Sequence, residues 1–292
     1  MKRKMIVLGL LIAMIPLFSC DFRKSINKDL NTGLVTRGNG LSCNSVYLAK
    51  GEETIKRNTF LYGEKFLVVF SGIQGFDRIE NFAFPGMLIK ITAPDGEVVL
   101  FNEDLYAEAS DGFDFDPLQL HGSVVVADPM HSGGTYHLHL KLWDKKGEGT
   151  FTADMDFTIE ANDQIKIESN LVTYDEIYLY SNDRDMAVEE YIAGKDETIF
   201  ILFEGLDGFV SQDHMVYPGL SLAVRDANGY SIIQEEDLMG DSGLEAEQFR
   251  SQMTPNFYVT GDEIVNPVTC EIVIWDKKSE ARISASVQLR IE

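Results

Sequence analysis

The chain has 292 residues, 45% of them hydrophobic, and a formal net charge of −22. That length suffices for two domains with cores of their own, and the acidic balance repels nucleic acid and anionic lipid. With 3 cysteines in all, a disulfide framework is excluded.

In chain order, the first feature is a leader. Lys2, Arg3 and Lys4 precede an apolar run, Met5–Phe18, that is too short for a membrane span. Positive charge followed by a short apolar core is the layout of a secretory signal. The run closes on Leu17-Phe18-Ser19-Cys20, which resembles the lipobox of bacterial lipoproteins. The resemblance implies a signal peptide over residues 1–19 and a lipid carried by Cys20, the new N-terminus. It implies a mature protein anchored to a membrane of the bacterial cell envelope, facing the periplasm or the cell exterior. Residues 20–32 are polar and read as a flexible tether.

Beyond the tether the chain repeats itself. FLVVFSGIQGF from Phe66 returns as IFILFEGLDGF from Ile199, with Gly75 answering Gly208 at an offset of 133 residues. At that offset FPGMLIKITAPDGEVVL from Phe84 matches YPGLSLAVRDANGYSII from Tyr217, and LWDKK at Leu142 returns one residue early as IWDKK at Ile274. Leu34-Val35-Thr36 echoes Leu171-Val172-Thr173. The repeat divides the mature chain into residues 33–160 and 170–292, joined by a linker over 161–169. The second unit carries most of the acidity, 24 Asp and Glu against 8 Lys and Arg. Cys43 and Cys270 fall in different units, which argues against a bridge between them.

Each unit has the pattern of strands. Phe151, Ala153, Met155, Phe157 and Ile159 alternate with polar residues, as do Ile283, Ala285, Val287, Leu289 and Ile291. Period two puts one set in a core and the other in water. Asp95-Gly96 and Asn228-Gly229 are tight-turn dipeptides between strand-like runs. The expected fold is all-β: two tandem antiparallel β-sandwiches, immunoglobulin-like or C2-like, with a small barrel as the alternative. Trp143-Asp144-Lys145-Lys146 and its second copy read as a hairpin signature, with Trp capping the core and Asp-Lys-Lys forming the turn. Leader and architecture together resemble Gram-negative lipoproteins with duplicated sandwich domains of unknown function, which implies no particular activity or residue.

Candidate chemistry is sparse. His137 and His139 share one face of a strand, as zinc ligands do, but the repeat aligns them with Thr269 and Glu271, on the solvent side. Asp111, Asp114 and Asp116 crowd three carboxylates into one loop, a donor set for calcium; they are the candidate metal residues, and Ca²⁺ the one cofactor considered. Tyr106, Phe113 and Phe115 lie where the copies differ most, residues 106–123 against 239–254, and are the candidate ligand-binding aromatics. There is no nucleophile elbow and no phosphate-binding glycine loop. The leading expectation is a non-enzymatic binding, adhesion or structural module for a glycan or protein ligand. The alternatives are a calcium-dependent module built on the Asp111–Asp116 loop, or a carbohydrate-active enzyme with a cleft between the two units.

Overall fold

The computed structural model describes residues 24–261 and 264–292. The leader and Cys20 lie outside the described residues. The protein is all-β. Its first half comprises β1 (Lys24–Lys28), β2 (Val35–Asn39), β3 (Ser45–Lys50), β4 (Glu53–Ile55), β5 (Thr59–Leu61), β6 (Lys65–Ile73), β7 (Pro85–Thr92), β8 (Val98–Asn102), β9 (Leu118–Val125), β10 (Thr135–Asp144) and β11 (Thr150–Glu160). One sheet has the order β1-β2-β11-β10-β7-β8, with β5 added parallel to β11. The other has the order β4-β3-β6-β9. Both sheets keep free edges, so the half is a sandwich and not a closed barrel.

The second half repeats this plan. It comprises β12 (Lys166–Asn170), β13 (Glu176–Ser181), β14 (Met186–Ala187), β15 (Ile192–Ala193), β16 (Ile199–Glu204), β17 (Met215–Val216), β18 (Pro218–Arg225), β19 (Ser231–Glu235), β20 (Leu244–Glu245), α1 (Ala246–Ser251), β21 (Gln252–Met253), β22 (Asn256–Phe257), β23 (Val268–Asp276) and β24 (Arg282–Ile291). Its sheets run β12-β24-β23-β18-β19 and β14-β13-β16-β21. Alternation drives both halves. In β10, Leu138, Leu140 and Leu142 are buried between the sheets, and Cys270, Ile272 and Ile274 do the same in β23. Each half closes its own apolar core, one drawn from Leu34 to Ile159 and the other from Ile165 to Ile291. Cys43 and Cys270 are free thiols.

Three features depart from the expectations above. Residues 24–28, placed in the flexible tether, form β1, paired antiparallel with β2 from Lys24–Asn39 to Lys28–Val35. The turn that follows is closed by Asp29, whose Oδ1 accepts from the amides of Asn31 at 2.8 Å and Thr32 at 2.9 Å. A polar edge strand held by backbone bonds leaves no hydrophobic trace in the sequence.

The Leu-Val-Thr echo is the second departure, because it does not mark equivalent positions. Gly75 sits against the Gly40 carbonyl and Gly208 against the Leu171 carbonyl, where an added Cβ would approach to 2.3 and 2.0 Å. Both glycines have positive φ, +97° and +106°, which glycine adopts without steric cost. Gly40 therefore matches Leu171, and β2 matches β12, which moves the start of the second unit back into the expected linker.

The third correction concerns the tryptophans. Trp143 and Trp275 lie on the outer sheet faces, partly buried, each over the glycine paired with it across the strands, Gly86 and Gly219. The buried member of each motif is the aspartate.

Candidate functional site

The two Trp-Asp-Lys-Lys motifs share one set of structural contacts, to which Asp276 adds the Ser279 hydroxyl at 2.6 Å. Asp144, 4% exposed, and Asp276, 3% exposed, face inward at the strand ends. The Asp144 carboxylate accepts from the amides of Asp77 at 2.6 Å and Lys146 at 2.9 Å. That of Asp276 accepts from Val210 at 2.9 Å and Lys278 at 3.0 Å. Lys145 and Lys277 pair with Asp104 and Asp237, each at 2.7 Å. Lys146 and Lys278 lie over the rings of Phe84 and Tyr217, 4.8 and 4.9 Å from the centroids. The motif ties three loops of a sandwich end together.

The residues singled out in the first unit are not gathered into one site. Asp111, Asp114 and Asp116 are exposed along their loop. Among the described residues no group of three or more His, Cys, Asp or Glu side chains is arranged to hold a metal ion. Tyr106 and Phe113 pack edge to face, centroids 5.7 Å apart, against the flank of the core. The Tyr106 hydroxyl is used by the backbone of His121, donating to its carbonyl at 3.0 Å and accepting from its amide at 3.1 Å. Phe115 stands apart, 63% exposed. His137 and His139 project from the outer face of β10 and meet Asp156 and Asp154 across the strand pair, both at 2.7 Å.

A more concerted arrangement lies where the two sandwiches meet. There β13 and β16 bring Glu176 and Glu204 opposite each other, since the two residues are paired in register. Glu204 is held from both halves: it accepts from the Tyr62 hydroxyl at 2.7 Å, from Tyr178 at 3.1 Å and from the Gln252 amide at 3.0 Å. Tyr62 also accepts the Asp128 amide at 2.8 Å and packs edge to face on Tyr178, centroids 5.2 Å apart. Burial, reinforced by the Glu204 charge, pushes both phenols well above their ordinary pKa and keeps them as donors.

Glu176, 3% exposed, accepts from the Ser132 amide at 2.6 Å and the Ser132 hydroxyl at 2.8 Å. Burial raises its pKa, and the two Ser132 bonds oppose that rise. Farther along the seam, Lys50 of the first half meets Glu189 of the second at 2.6 Å. The other Glu189 oxygen is buried without a hydrogen-bond partner, and burial raises this carboxyl too.

Beside this seam opens a cleft of about 580 Å³. Asp128 and His131 of the first half line it, with Asp175, Glu204, Glu247 and Arg250 of the second. Carboxylates outnumber cations on its wall, so its field favours a neutral polar or positively charged guest. Glu247 and Arg250 fall within residues 239–254, where the second copy departs most from the first; Asp128, Asp175 and Glu204 carried no such mark in the sequence. A second signal is a change of charge between the copies: at structurally equivalent positions Asn44, Ser45 and Ser71 are uncharged, whereas Asp175, Glu176 and Glu204 are acids.

No family model matches the chain, and no curated protein matches it. Among solved structures it is similar to a DUF3823 family protein from Bacteroides ovatus, at 8% identity, covering 73% of this chain and 92% of that one, with a TM-score of 0.22. It is also similar to a Bacteroides uniformis beta-glucuronidase at 11% identity, covering 87% of this chain and 26% of that one, TM-score 0.24. A putative beta-galactosidase from Bacteroides fragilis aligns at 9% identity over 78% of this chain and 33% of its own length, TM-score 0.23. Likeness at this level carries no argument about activity.

Proposed function

We propose that the chain is a lipid-tethered protein of the bacterial cell envelope whose two sandwiches form a non-enzymatic binding module, with the ligand seated in the cleft between them. The observation that carries this reading is Glu204. Its carboxylate is bound by three donors drawn from both halves, so it fixes the wall of the cleft and is not free to act as a base. The hydroxyl of Ser132 donates to the carboxylate of Glu176, an arrangement that orients both groups without activating a nucleophile. A polyhydroxylated glycan suits a wall rich in acceptors and carrying one guanidinium, and is the first ligand class to test.

The test is a glycan array probed with the wild-type protein and with an Asp175→Asn, Glu247→Gln variant. The expected outcome is a set of wild-type hits that the variant loses while its melting temperature is unchanged. Hits retained by the variant would move the site elsewhere. Release of reducing sugar from any bound glycan would replace the reading with the carbohydrate-active enzyme, which the other cleft carboxylates, Asp128, Asp175 and Glu247, favour as the second reading.

A further inference from the structure

The two sandwiches are stacked in one sense. The end of the second that carries Asp175, Glu176 and Glu204 receives the opposite end of the first, at Tyr62 and Ser132. The matching end of the first sandwich is the one where its N-terminal strand begins. Lys24 pairs with Asn39, Asn39 with Thr150, and the turn before Thr150 is joined through Asp144 to Asp77. Beside Asp77 two apolar side chains stand in solvent, Ile79 at 51% exposed and Phe115 at 63%. They belong to separate loops that are fastened together: Arg78 donates to the Phe115 carbonyl at 3.0 Å, and the Ile79 turn is closed by paired bonds to Phe82 at 3.0 and 2.9 Å. The two loops so linked present an exposed apolar pair at this end of the sandwich.

We propose that this end of the first sandwich rests on the membrane, with Ile79 and Phe115 reaching the headgroup–acyl boundary of a zwitterionic bilayer. The inference rests on the lipid tether at Cys20. Only Cys20 to Arg23 separate the anchor from Lys24, and four residues reach at most about 14 Å. A tether that short brings the strand's starting end, and the loops beside it, down to the lipid surface. The repeat supports the same assignment. Where the second unit carries three carboxylates at this end, two of them bonded to its neighbour, the first has Asn44, Ser45 and Ser71, which lack a charge to desolvate. Glu80, Asp111, Asp114 and Asp116 flank the apolar pair and repel anionic headgroups, which sets the preference for a zwitterionic surface.

The test uses the full lipidated chain in phosphatidylcholine vesicles with brominated acyl chains, which quench tryptophan at the depth of the bromine. Phe115→Trp is compared with Phe101→Trp, an exposed position on β8 paired with Lys90 of β7, after subtracting the emission of Trp143 and Trp275 in the wild type. The expected result is co-sedimentation with the vesicles, loss of emission at position 115 and none at position 101. Co-sedimentation with position 115 unquenched, or with both positions quenched alike, overturns the seating of this end and leaves the tether standing. Failure to co-sediment overturns the tether and the seating together.

Discussion

Asp144 and Asp276 show how one side chain can hold a loop end. Each is a buried carboxylate whose oxygens accept two amides from separate segments, and each precedes a lysine that pairs with a second aspartate. Asp144→Ala and Asp276→Ala each remove the acceptor for two such amides, at a cost of about 1–3 kcal/mol. Urea denaturation of the two single variants measures this, and a loss within error of zero in both would contradict the role assigned. The motif was legible as a repeated address because it recurs in the sequence. Its orientation was not, since alternation places either Trp or Asp inward and hydrophobicity argues for the wrong one. Gly86 and Gly219 decide the matter by clearing the outer face for the indoles.

Among the elements, the strands were legible where one face is buried and the other wet, as in β10, β11, β23 and β24. The repeat extends that reading from one half to the other. β1 was not legible, because all five of its residues are exposed and its pairing is a matter of backbone bonds. Its stability therefore rests on its turn. The amides of Thr32 and Asn31 hold the Asp29 carboxyl below its ordinary value of 3.8. A depressed carboxyl stabilises the turn above the ordinary pKa, and that contribution is lost as pH falls through the depressed value. Asp29→Ala is expected to speed amide exchange across residues 24–28 and 35–39 at neutral pH while the amides of β10 stay protected. Unchanged exchange at the hairpin would show that the turn does not depend on Asp29.

For the whole molecule, the tandem order of the two units was visible, and the chemistry of their junction was not. Tyr62 and Glu204 are 142 positions apart, and a single sequence carries no sign that such residues meet. The seam is expected to respond to pH. Glu176 faces Ser132 and His131 of the first half and Glu204 of its own, and burial lifts it above the ordinary 4.5. Its protonation is thus favoured in the docked state: the stabilisation is complete below the ordinary value and is lost as pH rises through the raised one. The melting temperature is expected to fall as pH rises from 4.5 through that window. Glu176→Gln, which keeps an acceptor for Ser132, is expected to flatten the profile. An equal slope in wild type and variant would place the dependence on another group, such as Glu189.

The β1 hairpin has one more consequence, and it is mechanical. β1 is antiparallel to β2, and β2 to β11, so β1 and β11 run in the same direction. Tension applied between the N-terminal side of Lys24 and the second sandwich beyond Glu160 pulls these strands along their axes and in opposite senses. The bonds between β1 and β2 are then loaded in shear, all five residue pairs together, and are not peeled one at a time. Under the proposed tether at Cys20, a polar strand that adds little to the core is placed to bear load passed from the membrane to the second sandwich.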